Sequence, residues 1–142
     1  MRYLLDTNVI SELRKARTRA IDPAVSAWND SVDAGDLFLS AITITEIEKG
    51  IAQVARRDIA QAARLREWFE TAVLTEFSDR ILPFEKEAAR YCARLHVPDK
   101  RAANDATIAA IAWQHDMVLV TRNVEDFTGM GAQLLNPWEW PS

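Results

Sequence analysis

Short apolar runs alternate along this chain with stretches in which hydrophobic residues recur at helical spacing. Tyr3-Leu4-Leu5 is apolar and stops at Asp6-Thr7-Asn8, the pattern of a buried strand running into a helix start. Pro23 to Val32 predicts a helix with Asp22 as N-cap, Pro23 at the first helical position, and Val25, Trp28 and Val32 on one face. Leu37-Phe38-Leu39-Ser40 predicts a second strand. Thr43 then opens a long helical stretch that breaks near Arg57 and resumes from Ala55 to Phe69. Ile81-Leu82 predicts a third strand, closed by Pro83. From Glu85 to His96, Ala88, Ala89, Cys92 and Leu95 keep helical spacing until Pro98 stops the run. Ala102 to Gln114 predicts an alanine-rich helix, Met117 to Thr121 a fourth strand, and Leu134-Leu135 a fifth. The strands are short and apolar without two-residue alternation, the mark of a parallel sheet covered on both faces. The expected fold is therefore a three-layer α/β domain, with about five short parallel strands flanked by helices on both faces. No repeat or linker is evident, so residues 1–142 are expected to form one domain.

Composition narrows the function more than the fold. With 49% hydrophobic and 27% charged residues the chain reads as an ordinary soluble protein. The only cysteine is Cys92, so no internal disulfide forms, and the two histidines, His96 and His115, are too scattered for a histidine-rich metal site. The N-terminus meets Asp6 before a signal-peptide apolar region develops, and no apolar run approaches the roughly 20 residues of a membrane span. A cytoplasmic protein is expected, with no membrane partner. Net charge is −4, yet basic residues cluster locally: Arg14, Lys15, Arg17 and Arg19, then Arg56-Arg57, Arg64 with Arg66, and Lys100-Arg101. Such clusters either track phosphates or form solvated helix faces.

Ligands of open α/β sheets sit beyond the carboxyl ends of the strands, and this chain places acids there. Asp6 follows strand one, Glu46 lies in the helix after strand two, and Asp105 starts the helix before strand four. Asn123 and Asp126 follow strand four. Each also fits a plain capping role: Asp6, Thr7 and Asn8 are good N-caps, Thr43-Ile44-Thr45-Glu46 has capping-box spacing, and Asp105 suits a helix dipole. Together they ask for more, because three acids at one sheet edge repel each other unless a cation neutralises them. Oxygen ligands without His or Cys point to Mg²⁺ or Mn²⁺. The alanines around Asp105 would let a backbone approach.

The blocks that carry these residues resemble a known family. Leu4-Leu5-Asp6-Thr7-Asn8-Val9-Ile10-Ser11-Glu12 resembles the opening of PIN-domain nucleases of the VapC toxin type, including the FitB-like branch. So do the segment Leu39 to Gly50, Asn104-Asp105-Ala106-Thr107-Ile108-Ala109-Ala110, and Val120 to Phe127, while Leu135-Asn136-Pro137-Trp138 resembles that branch's C-terminus. The resemblance implies a Mg²⁺-dependent endoribonuclease, a toxin neutralised by a small VapB-like or FitA-like antitoxin, and a toxin homodimer. It carries Asp6, Glu46 and Asp105 over as metal ligands, with Thr7 and Asn8 supporting the first acid. Many members hold a further acid where this chain has Asn123, which is carried over as a catalytic residue with Asp6, Glu46 and Asp105 and can ligate through its carbonyl oxygen but brings no charge; Asp126 stands three residues on. One metal at Asp6 and Asp105 is expected rather than two complete sites. Arg122 is the basic residue expected to contact RNA phosphate. Trp28, Trp68 and Trp113, at helical apolar positions, are expected in the core or an interface. The helices over 43–76 are candidates for a dimer interface or an antitoxin groove.

Rival readings fit less of the sequence. Haloacid-dehalogenase phosphohydrolases want a second aspartate where Asn8 stands. Response-regulator receivers want an acidic pair and a late lysine that are not evident, and no Gly-rich phosphate loop occurs. A PIN fold reduced to a binding module would show a lost acid, and only the fourth position is weakened. A housekeeping RNA-processing nuclease without an antitoxin is the remaining alternative.

Overall fold

In the computed structural model, which describes residues 1–18 and 20–141, β1 (Tyr3–Leu5) lies at the centre of a parallel sheet. Arg19 of the basic stretch and the side chain of Arg17 lie outside the described residues. β1 is flanked by β2 (Leu37–Ser40) and β4 (Val118–Val120). β3 (Ile81–Leu82) pairs outside β2 and β5 (Gln133–Leu135) outside β4, giving the order β3-β2-β1-β4-β5. Tyr3 sits opposite both Leu37 and Val118. The chain builds outward from β1 to β3, then returns across the sheet to start β4 on the other side of β1. That reversal is a topological switch point, and it leaves a crevice at the carboxyl ends of β1 and β4.

Both faces of the sheet are covered, as the apolar strands predict. Leu5, Leu37, Leu39, Val118 and Val120 point into one core with Val9, Trp28, Ile47 and Phe69. Leu4 and Leu119 point to the other, with Ala88, Cys92, Ile108, Phe127 and Met130. Successive strand residues therefore bury on opposite sides. The first core lies under α1 (Thr7–Leu13), α2 (Pro23–Ser31), α3 (Ala41–Ala55) and α4 (Ile59–Trp68). A π-helical turn over Phe69–Val73 joins α4 to the short α5 (Leu74–Glu76). The second core lies under α6 (Lys86–Leu95) and α7 (Ala103–Gln114). Ala106, Ile108, Ala109, Ala110, Ile111 and Ala112 of α7 are all buried, as expected of a helix apolar all round that is packed between a sheet and a second helix. The alanines serve that packing; Ala102 and Ala103 alone are exposed.

Asp22 caps α2 as expected, its carboxylate accepting from the Ala24 and Val25 N–H groups at 2.9 and 3.2 Å. Two expectations need correction. The helix placed at Thr43 starts at Ala41, because the Ser40 hydroxyl at the end of β2 accepts from Thr43 N–H at 3.3 Å and acts as its N-cap. Ala89 is exposed: one turn of α6 offers inward room for Ala88 and not for its neighbour. Among the described residues no helix is long and apolar enough to cross a membrane.

Candidate active site

Asp6 is the first residue beyond β1 and the N-cap of α1. Its backbone N–H donates to Val120 O at 2.9 Å, which ties it to the end of β4 at the switch point. One carboxylate oxygen, Oδ1, accepts from Thr7 N–H at 2.8 Å. The other accepts from the Thr121 hydroxyl at 2.9 Å and, more weakly, from Asn8 Nδ2 at 3.4 Å. The oxygen that caps α1 is thus not the one held by Thr121 and Asn8.

Thr121 organises the rest of this edge. It is fully buried, and its hydroxyl also accepts from the Asn123 N–H at 3.1 Å. Asn8 Oδ1 accepts from the Arg122 N–H at 3.2 Å, a second clamp between the β1 and β4 loops. Thr121 stands in the sequence as one more residue of an apolar run. Only its place directly after β4, level with Asp6, signals its part.

Glu46 projects from the second turn of α3. With Ser40 as cap, it has no helix terminus to satisfy, so the capping-box explanation for Glu46 fails. Instead its Oε1 accepts from the Thr7 hydroxyl at 2.5 Å, and that hydroxyl also lies 3.3 Å from Thr43 Oγ1, whose residue is buried. Thr7 therefore links Asp6, through its N–H, to Glu46, through its hydroxyl. Asp105 comes from the first turn of α7, which runs back toward β4 and so begins at the same edge.

The electrostatics show that these acids face one another. Burial pushes the Asp6 carboxyl above its ordinary value, and the charges of Glu46 and Asp126 push the same way against the Thr121 and Thr7 hydrogen bonds. Asp105 is also raised, first by burial and then by Asp6, Asp126 and Glu46, with Arg101 opposing. The exposed Asp126 contributes its charge to both aspartates from a 3-10 turn over Val124–Phe127. Asn123 enters through its backbone N–H, and its side chain makes no cap bond. Arg101 Nη2 donates to the carbonyls of Thr128 at 2.9 Å and Asp126 at 3.4 Å, joining that turn to the loop before α7. In the sequence Arg101 stands only as half of a basic pair with Lys100.

Among the described residues no three acidic, histidine or cysteine side chains close into a ready-made metal cage. The donor set nevertheless fits a hard divalent cation: half-buried carboxylates repel one another, and Mg²⁺ is held through one or two carboxylates with retained waters. Asp6 and Asp105, the two whose ionisation is suppressed, are the groups a cation would relieve most.

The basic clusters take several paths. Lys15 pairs with Glu12 at 3.1 Å, Arg66 with Glu48 and Glu70, and Arg14 lies 5.8 Å over Trp68. Arg122 remains beside the acids, its guanidinium 5.0 Å over the Trp138 ring. It lines a polar groove of about 450 Å³ with Asn123, Asp126, Asn136, Trp138 and Glu139. Trp28 is fully buried, Trp68 packs against the first core, and Trp113 stays 39% exposed on α7.

A family model described as the PIN domain matches residues 3–130. VapC ribonuclease Y4jK of Sinorhizobium fredii is 39% identical over 96% of this chain and 97% of its own length. Toxin FitB of Neisseria gonorrhoeae is 36% identical over 95% of this chain and 97% of its own. The solved structure of FitAB bound to an IR36 DNA fragment matches with a TM-score of 0.85 at 35% identity, covering 99% of this chain and 98% of that one.

Proposed function

The chain belongs to the PIN-domain family, and on that premise we propose that it is a cytoplasmic, Mg²⁺-dependent endoribonuclease acting as the toxin of a toxin–antitoxin pair. The observation that carries the chemistry is the half-buried Asp6 at the β1–β4 switch point, within the fields of Glu46, Asp105 and Asp126. Asp6 and Asp105 would hold one divalent cation, with Glu46 as a third ligand. When bound, the cation would lower the pKa of water and neutralise the scissile phosphate. Thr121 and Asn8 orient the Asp6 carboxylate, and Thr7 orients Glu46. Glu46 Oε1 is occupied by Thr7, which leaves Oε2 free to face the cation. Asp126 supplies the charge that Asn123 lacks at the fourth position. Arg122 would contact a phosphate, its guanidinium oriented by Trp138.

The toxin role is supported by the similarity to toxin FitB and to the FitAB assembly. An apolar groove of about 220 Å³ between α1 and the α4–α5 stretch, lined by Ile10, Leu13, Trp68, Val73 and Phe77, supports an antitoxin partner. Such a channel suits an amphipathic segment. A homodimer is part of the same reading.

The test is cleavage of a mixed structured-RNA pool by purified protein, with Mg²⁺, with EDTA, and with Asp6→Asn alongside. Metal-dependent cleavage leaving 5′-phosphate ends, absent in the variant, is the expected result. Folded protein that binds Mg²⁺ and cleaves nothing would favour a binding module.

A further inference from the structure

On the face of α6 and α7, away from the switch-point crevice, Tyr91 and Trp113 stack at 3.9 Å between centroids with their planes 5° apart. The pair is held rigidly from below. The Tyr91 hydroxyl donates to Met130 O at 2.7 Å, and any Cβ at Gly131, whose φ is +84°, would collide with that hydroxyl. Arg94 lies 5.4 Å over the Tyr91 ring. An open groove of about 290 Å³ is lined by Trp113, Arg90, Arg94 and Glu87.

Lys86, Arg90 and Arg94 repeat every fourth residue along α6, and none of them forms an ion pair among the described residues. Like charges at this spacing weaken a helix, and of the three only Arg94, in the last turn, is favoured by the helix dipole. Glu87 is the one acid lining the groove. A large aromatic ring left exposed beside unneutralised guanidinium groups is the combination that binds single-stranded nucleic acid, in which bases stack and phosphates pair with arginine. A second copy of the chain fits poorly, because a two-fold contact would set one cationic stripe against the other.

We propose that Trp113, Arg90 and Arg94 form an RNA-binding subsite for the strand leading away from the scissile phosphate, with one unpaired base stacked on Trp113. Trp113 lies eight residues along α7 from Asp105, about 12 Å at helical rise, within reach of a few nucleotides. The subsite rests on the ribonuclease reading and extends it: it sets how tightly a long substrate is held, and leaves the chemistry at Asp6 untouched.

The experiment measures binding of a fluorescein-labelled, single-stranded RNA of mixed sequence to the Asp6→Asn protein without metal, across a salt series. Arg90→Gln/Arg94→Gln, Trp113→Ala and Trp113→Phe are added on that background. The arginine pair is expected to reduce the slope of log affinity against log salt by about 1.4, from two lost phosphate contacts. Trp113→Ala is expected to weaken binding at least about fivefold, and Trp113→Phe to restore most of it. With an active-site aspartate present, the same variants should raise KM for long RNA and leave kcat unchanged. Cleavage by the parent with affinity and slope unchanged in all three variants would overturn the subsite while leaving the nuclease standing. A dimer that Trp113→Ala turns into a monomer would overturn it in favour of an interface between copies. Absence of both cleavage and RNA binding in the parent would remove the ribonuclease reading and the subsite with it.

Discussion

Replacing Thr121 by valine tests the organisation of the site without touching a proposed ligand. The two side chains have nearly the same shape, so the fully buried position stays filled. What is lost is the hydroxyl that donates to Asp6 Oδ2 at 2.9 Å. A hydrogen bond to an ionised group contributes about 1.5–3 kcal/mol. Of the donors that used the same oxygen, the Asn123 N–H belongs to an exposed residue and turns to water, and Asn8 Nδ2, at 3.4 Å, keeps Asp6 Oδ2, each at little cost. The expected loss is therefore about 2 kcal/mol at neutral pH, or roughly 4–8 °C in Tm for a chain of this size. The effect should depend on pH with a definite sign. The hydroxyl favours ionised Asp6 and opposes the rise of its folded-state pKa, so its contribution is present while Asp6 is charged. That contribution fades as pH falls through the folded-state pKa, which lies above the ordinary 3.8. Urea unfolding of metal-free protein and of Thr121→Val at neutral and acidic pH measures both quantities. A difference below about 0.5 kcal/mol, the scatter of an indifferent substitution, or one that does not shrink on acidification, would refute the argument.

Further outcomes follow from the same geometry. Asp6 and Asp105 both have folded-state pKa values raised above 3.8, so the folded protein takes up protons more readily than the unfolded chain. Metal-free protein should therefore gain stability from these two groups as pH falls from neutrality through their folded-state values, and Mg²⁺ should raise Tm at neutral pH and lose that effect over the same range. Calorimetric scans with and without Mg²⁺ check this, and Asp105→Asn should unfold at a higher temperature than the parent at neutral pH without metal. Thr7→Val frees Glu46 and should lower RNA cleavage about 10- to 100-fold, as loss of a partner that orients a ligand does, with circular dichroism unchanged. Asp126→Asn should raise the Mg²⁺ concentration that half-saturates cleavage, whereas Asn123→Ala should leave it nearly unaltered, because Asn123 acts through its backbone.

Much of this was legible along the chain for a physical reason. A strand buried on both faces has little room for polar side chains, so Tyr3–Leu5, the first three residues of Leu37–Ser40, and Val118–Val120 stand out as apolar runs. Asp6 marks where the first of them ends. The start of α3 was misplaced because Ser40 is both the last residue of β2 and the cap, and nothing local separates the two roles. Sheet order lies beyond local pattern: that β4 returns beside β1 is what brings Thr121 to Asp6 across 115 residues. Asp126 could be named but not ranked above Asn123, since the 3-10 turn that presents its charge has no periodic signature. The Tyr91–Trp113 stack is not legible in the sequence, because aromatic residues at helical spacing fit a core equally well and only the fold leaves Trp113 exposed.

Asp6 and Asp105 are proposed to share one divalent cation. Mn²⁺ soaked into crystals of the protein, with anomalous diffraction recorded at its absorption edge, locates the ion directly. A single strong peak is expected at the carboxyl ends of β1 and β4, bounded by the carboxylates of Asp6 and Asp105 and missing from Asp6→Asn crystals. A peak elsewhere, or one that persists beside Asn in the variant, would contradict it.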